Sequence, residues 1–365
     1  MRTLPLKEFW QAQGASFAIR YDVEIVERFS DHATEYKRIR DNAALTDFSH
    51  IQIFRIPEAQ AFDVLDGLVA GNVAKVRYGR MLHTFIANEQ GELLADCYIA
   101  NNDDEFIVLC ESIVPDAEIR ALFMANSAVE DLTGTVALLS VDGVKAWSIA
   151  KELFGADVLG LPYLSIEKYQ FDGHDIRLFR AGKTSEFGYM FMAPLGCAQK
   201  LAQHILDSLV KLDGGPCGCA IHNDVRLEGR FFNIYRDGAI VKNPLSLGIQ
   251  WMIDFDKEKF TGRDTIFAGR EAGLSHKIIG ISVNPNCKDL KEGAGIFCGA
   301  KKIATVVTTC HSYLLDCDMG LALFDNAYAF AGLEFNLGSA GGAVVKTISM
   351  PPIMPKSLMV KLDEM

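Results

Sequence analysis

The chain has 365 residues, 49% hydrophobic and 23% charged, a balance that supports globular cores and excludes a disordered or fibrous chain. Its 36 Lys plus Arg against 47 Asp plus Glu give a formal net charge of −11, with no basic block to follow a phosphate backbone, so no nucleic-acid partner is expected. No apolar run reaches the roughly 18–20 residues of a membrane span, and MRTLPLKEFWQAQG lacks the apolar segment of a secretory signal, so no membrane is expected and a cytoplasmic address is the default. Nine scattered cysteines suit a reducing compartment.

In chain order, residues 7–50 open with an amphipathic stretch around Phe9 and Trp10, and Ser30-Asp31-His32 marks the start of a helix with a charged face. Residues 51–56 read as a strand, and residues 57–68 as a helix, because Ala61, Phe62, Leu65 and Leu68 recur at helical spacing. Residues 82–87 and 93–100 are strand-like runs around Asn88-Glu89-Gln90-Gly91, which carries turn chemistry, so a β-hairpin is predicted. Asp96 interrupts its second strand. Alternation places Leu94, Asp96 and Tyr98 on one face, so an ionised Asp96 must find donors, open onto a wet cavity, or shift its pKa upward.

Beyond a turn at Asp103-Asp104, the pattern predicts a strand over 105–110, a helix over 114–126, a strand over 136–141 and a helix over 145–154. Strands over 176–180 and 189–192 flank a polar turn, and a helix follows over 197–211. This rhythm indicates an α+β fold with split βαβ, ferredoxin-like layers. From about residue 275 the texture changes to short strands between Gly-rich turns, over 277–283, 295–298, 302–307, 319–324 and 344–348. A small C-terminal β-barrel or sandwich over 276–365 is therefore expected after a region of two subdomains over 1–275.

Cys217-Gly218-Cys219 with His222 lacks the second ligand pair of a structural zinc site, and there is no His-x-x-x-His pair, so no metal site is expected. Neither G-x-S-x-G nor a catalytic-cysteine signature occurs, which argues against acyl transfer. The glycines at 293, 295 and 299 have the wrong spacing for a dinucleotide fingerprint.

Several segments, taken in order, resemble one family over nearly the whole chain. Arg40-Asp-Asn-Ala-Ala-Leu-Thr-Asp47-Phe48-Ser49-His50 is similar to R-x-x-x-G-L-F-D-V-S-H, and Asn88 through Asp96 to N-E-x-G-G-I-x-D-D, with Ala95 replacing the first Asp. Ala137 through Ala146 resembles A-L-L-A-x-Q-G-P-x-A, and Leu161-Pro162-Tyr163 the following L-P-F. Arg180-Ala-Gly182-Lys183-Thr184-Ser185-Glu186-Phe187-Gly188 stands for R-x-G-Y-T-G-E-x-G, Asp224 through Gly229 for D-x-L-R-L-E-A, and Phe260-Thr-Gly262-Arg263 for F-x-G-R. The family is the T-protein family of tetrahydrofolate-dependent one-carbon transferases, which includes the glycine-cleavage aminomethyltransferase and folate-dependent demethylases.

The resemblance implies a folate-binding α+β region followed by a β-barrel, and tetrahydrofolate as one-carbon acceptor. It implies that Asp96 is catalytic beside the pteridine ring, orienting folate amines and stabilising positive charge there. Glu186 would accept hydrogen bonds from the pterin, and His83, Tyr98, His222, Arg226 and Lys291 would complete the cofactor site. Several positions depart from the family: His83 for a Tyr, His222 for an Arg, Lys183 for a Tyr, Ser246 for a Glu, Lys291 for an Arg, and Met354-Pro355-Lys356-Ser357-Leu358 for a terminal aromatic pair. These departures favour a changed donor, a small O-, S- or N-methyl compound, with His83 and His222 available to protonate the leaving group. The alternatives are aminomethyl transfer from a lipoyl-carrier protein and a non-catalytic folate-binding regulator, although residues 227–235 lack the K-G-C-Y-x-G-Q-E signature of such regulators.

Overall fold

The computed structural model describes residues 1–362. Two sheets packed face to face, each with helices on its outer side, are followed by a barrel. The five-stranded sheet has the order Met81–Ala87, Leu93–Asn102, Glu105–Ser112, Gln52–Pro57, Glu130–Asp131. The six-stranded sheet runs Ser165–Phe171, His174–Arg180, Gly188–Pro194, Val136–Asp142, Ala44–Asp47, Gly215–Pro216.

Side-chain alternation assigns the faces of the five-stranded sheet. Ile53, Tyr98, Ala100, Ile107 and Leu109 point inward, against Leu138, Phe179, Met190 and Met192 of the other sheet. Phe54, Cys97, Ile99, Phe106 and Val108 point outward, under the helices Glu58–Leu65 and Asp116–Met124. There Phe54 and Phe123 stack with centroids 4.2 Å apart, and both are fully buried. Truncating one such ring costs about 3–5 kcal/mol. The six-stranded sheet is covered on its far side by Ala146–Phe154 and Leu195–Val210.

The predicted hairpin forms between Met81–Ala87 and Leu93–Asn102, its turn held by Asn88 Oδ1, which accepts the N–H groups of Gln90 and Glu92, and by Gly91 at φ +72°. One detail differs from strict alternation. A bulge between Ile86 and Ala87 shifts the register, and Leu94 packs with the outward cluster while Asp96 and Tyr98 face inward. Asp31 caps the helix His32–Asp41 by accepting the Thr34 N–H. The helix expected over 57–68 spans Glu58–Leu65 and ends before Gly67, a poor helix former.

Several elements lie outside the sequence expectation, among them the strand Ser165–Phe171 and the helix Arg263–Ala272. Ser16–Arg20 and Val23–Arg28 form an antiparallel hairpin, and Cys219–Glu228 forms a helix. At the C-terminal end, the barrel or sandwich alternative resolves as a closed six-stranded barrel, His276–Val283, Cys317–Asp325, Lys301–Ser312, Gly295–Cys298, Glu334–Leu337 and Val344–Ile348 in spatial order. Its interior is filled by residues such as Ile281, Phe324 and Leu337. Its outer side shares a second cluster with the rest of the chain, in which Ile278, Val307 and Met319 pack with Phe85, Leu93, Leu227 and Phe232.

Candidate active site

Where the two sheets meet the helix Cys219–Glu228, they leave a narrow cleft with about 20 Å³ of free space between its side chains. Phe48, Ile51, Leu109 and Met190 form its apolar walls, and Asp96, Tyr98, Glu111, Lys183, His222 and Arg226 supply its polar groups. Asp96 and Glu111 lie directly opposite each other on neighbouring strands. Two facing carboxylates repel unless cations intervene. Lys183 does so, donating to Asp96 Oδ2 at 2.5 Å and also to Glu111. Arg226 grips Glu111 with a two-pronged bond, 3.0 and 3.1 Å, and its Nη2 lies 4.0 Å from Asp96 Oδ2. Two carboxylates and two cations therefore cancel within one buried cluster.

Electrostatics sets the protonation states. Burial pushes the Asp96 pKa up, but Lys183 and His83 pull it further down, and the net shift is below the ordinary carboxylate value. Asp96 thus finds donors in His83 and Lys183, and its pKa does not shift upward. Glu111 is held well below its ordinary value, burial being outweighed by Arg226 and Lys183. Both are carboxylates at neutral pH. His83 Nε2 lies 2.7 Å from Asp96 Oδ1, and burial lowers the His83 pKa. A neutral imidazole bonded to a carboxylate must present its N–H there, so Nε2 carries the proton. His222, whose Nε2 contacts Thr46 Oγ1 at 2.8 Å, is held at about 3 by burial and by Arg226.

These states correct one expectation. Neither His83 nor His222 is an imidazolium near neutral pH, because both are buried and face cations, so neither is poised to protonate a leaving group. Other groups at the cleft keep unused capacity. Asp96 employs two of the roughly four lone-pair sites of a carboxylate. Arg226 Nε is buried without a partner among the described residues. Tyr98 Oη has no partner of good hydrogen-bond geometry among the described residues, although Tyr163 lies near enough to perturb it.

Of the residues named from sequence, Asp96, Tyr98, His222 and Arg226 line the cleft, and His83 stands behind Asp96 with its ring edge against Trp251. Glu186 lies elsewhere. Its carboxylate accepts the backbone N–H groups of Lys356 at 3.2 Å and Ser357 at 2.8 Å and approaches Arg40 at 3.5 Å, and it is not part of the cleft lining. Lys291 sits on an exposed loop between barrel strands and is likewise not part of the lining. Sequence reasoning missed Glu111 as a site residue. Its signal was a carboxylate on the same strand face as Leu109, one strand over from Asp96.

Residues 6–257 match the family described as the GCVT N-terminal domain. The aminomethyltransferase of Bdellovibrio bacteriovorus is 26% identical over 331 residues, spanning 88% of this chain and 91% of that protein. The aminomethyltransferase of a Thermoanaerobacter species is 25% identical over 316 residues, or 85% of this chain and 86% of that one. The crystal structure of glycine cleavage system aminomethyltransferase T from Bartonella henselae has the same fold, with a TM-score of 0.83 over 97% of this chain and 98% of that one at 21% identity.

Proposed function

The chain belongs to the glycine-cleavage T-protein family, and from that premise we propose that it is a tetrahydrofolate-dependent aminomethyltransferase with Asp96 as its central catalytic residue. The names of the relatives favour aminomethyl transfer over methyl transfer, and the donor in this reading is a lipoyl-carrier protein. One observation carries the assignment to this cleft: Asp96 is an ionised carboxylate fixed on both sides, by His83 and Lys183, with acceptor capacity left toward the space it walls.

The residues fit a flat heteroaromatic amine. An unpartnered donor, Arg226 Nε, and a partly unused acceptor, Asp96, stand on the walls of one cleft between the apolar faces of Phe48, Leu109 and Met190. Tetrahydrofolate, when bound, would supply the nucleophilic nitrogen that accepts the one-carbon unit. Asp96 would accept an N–H bond from that nitrogen and stabilise the positive charge it develops, an interaction stronger in the transition state than before it. Lys183 and His83 would hold the carboxylate still, so that no reorganisation is needed as charge appears. With both histidines neutral, Lys183 and Arg226 are the charged N–H donors facing the cleft.

A second reading, methyl transfer from a small donor, is favoured by one feature: Lys183, bridging Asp96 and Glu111, replaces the Tyr of the family segment and changes the wall a donor would meet. Calorimetric titration with tetrahydrofolate tests both readings, and saturable binding is expected. Absence of binding at any reachable concentration would remove them together. With binding established, turnover of an aminomethylated lipoyl-carrier protein supports the first reading, and a methylated folate product formed from a small donor would replace it with the second.

A further inference from the structure

We propose that the loop 181–187 is a lid on the cleft and that the C-terminal segment around Lys356–Met359 is the latch that keeps it closed, an inference that rests on the reading of the cleft as a ligand site. With about 20 Å³ of free space the cleft has room for little more than a water, so a wall must move before a cofactor enters. Most of the walls are fixed. Asp96, Tyr98, Leu109, Glu111 and Met190 stand on strands paired on both sides, and His222 and Arg226 on the helix Cys219–Glu228. Phe48 and Ile51 lie on a connection pinned to the six-stranded sheet, where the Phe48 N–H donates to the Leu138 carbonyl at 2.8 Å and Ser49 Oγ accepts the Leu138 N–H at 2.9 Å.

Lys183 is different. It stands on the loop between the strands His174–Arg180 and Gly188–Pro194, and residues 183–186 make no backbone-to-backbone hydrogen bond among the described residues. The loop has a narrow neck, since a Cβ on Gly188 would lie 2.8 Å from Gly182 Cα, and the glycines that fit there also give the backbone the freedom of a hinge. Swinging outward about this neck draws the Lys183 ammonium from between Asp96 and Glu111. Neither carboxylate is stranded by that movement, because Arg226 still grips Glu111 with two bonds and His83 still donates to Asp96 at 2.7 Å.

Further grips hold the loop down on consecutive residues. Arg40 donates to the Thr184 carbonyl at 2.6 Å and is itself fixed by Glu228. Ser357 Oγ donates to the Ser185 carbonyl at 3.4 Å, and the Glu186 carboxylate accepts the N–H groups of Lys356 at 3.2 Å and Ser357 at 2.8 Å. The grips on Ser185 and Glu186 therefore both come from the C-terminal segment, and that segment is lightly seated. Met354, Leu358 and Met359 are largely exposed, and Lys356 adds an ion pair with Asp41 in which both side chains are half exposed, a kind that contributes little. Beside the segment runs an open groove with about 680 Å³ of free space, lined by Leu159, Phe187, Ser357 and Leu358 among others. Release of the segment removes its grips on Ser185 and Glu186 at once and lets the lid lift.

The test is amide hydrogen exchange of the full chain, read by mass spectrometry, together with stopped-flow binding of tetrahydrofolate followed by tryptophan fluorescence, for wild type, Lys356→Pro and Lys356→Ala. Lys356→Pro removes an N–H that Glu186 accepts, and Pro355, at ψ 135°, already has the backbone that a following proline requires. In Lys356→Pro the amides of 183–186 are expected to exchange about fivefold faster, and tetrahydrofolate to associate about threefold faster or more. Lys356→Ala keeps the N–H and should stay within about twofold of wild type in both measurements. The proposal is overturned if Lys356→Pro leaves the exchange of 183–186 unchanged, if it leaves the association rate unchanged, or if Lys356→Ala reproduces its effects. Absence of tetrahydrofolate binding in every form overturns the functional reading instead, and the exchange measurement, which needs no ligand, then judges the latch by itself.

Discussion

Two buried charge networks lie close together in this molecule, and they differ in what they leave unsatisfied. The Asp96 network has two carboxylates, two cations and a neutral histidine around a cleft, with Arg226 Nε unpartnered among the described residues. The other is centred on Glu228. Its carboxylate accepts from Tyr36 at 2.8 Å, from Arg40 at 2.8 and 3.2 Å, and from Ser312 of the barrel, while Arg40 also donates to the carbonyls of Thr184 and Val225. Glu186 extends this network to the backbone of Lys356 and Ser357. Every carboxylate oxygen in it is spoken for within the chain, and it joins a helix, a turn, the barrel and the C-terminal segment. Similar residues thus make a fastener in one place and the wall of a cleft in the other.

The contrast is exposed most strongly by removing Glu228. Glu228→Ala strands Arg40 in the interior and should cost roughly 3–5 kcal/mol, seen as a lower urea midpoint. A midpoint like that of wild type would mean that the Glu228 network fastens nothing. Asp96→Asn keeps the side-chain volume and should leave the fold and folate binding intact while turnover falls by about 100-fold or more, because the charge that stabilises the attacking nitrogen is gone. Single-turnover kinetics would read this, and an undiminished rate would remove Asp96 from the mechanism.

Smaller effects come from pH. His222 is held at about 3 in the fold against an ordinary 6.5, so the unfolded chain binds its proton first. Its contribution is present above about pH 6.5 and is lost as pH falls toward 3. His222→Gln should therefore flatten the acid side of a plot of urea midpoint against pH. Asp142 behaves in the opposite sense and is the smaller effect. Burial raises it to about 6 against an ordinary 3.8, so the folded state binds the proton first and stability rises as pH falls between those values. Asp142→Asn should abolish that rise, and an unchanged profile would show that Asp142 does not titrate there.

The parts of the molecule that were legible in the sequence are those whose signals are local. The central hairpin announces itself by Asn88 and Gly91 between alternating runs, and the barrel by short strands with Gly-rich turns. Asp96 stands out because a carboxylate in an apolar strand must be explained. Its pairing did not show: Glu111 and Lys183 reach it from 15 and 87 residues away through sheet register and sheet packing, which no local pattern encodes. The N-terminal hairpin was missed because Tyr21-Asp22 occupies a turn that usually calls for Asn-Gly. The helix Cys219–Glu228 was missed because nine of its ten residues are buried, which leaves no polar face to give a helical period. Glu186 illustrates the converse, a residue whose family role was legible but whose partners here are the chain's own backbone.

The cluster in which the barrel's Ile278, Val307 and Met319 interlock with Phe85 and Leu93 of the central hairpin bears on cooperativity. Neither part can open without uncovering the other's apolar side chains, so barrel and hairpin should exchange their slowest amide hydrogens at a common rate, through one global opening. A ligand tightening the cleft would then slow exchange in the barrel as well, and protection would spread well beyond the residues it touches.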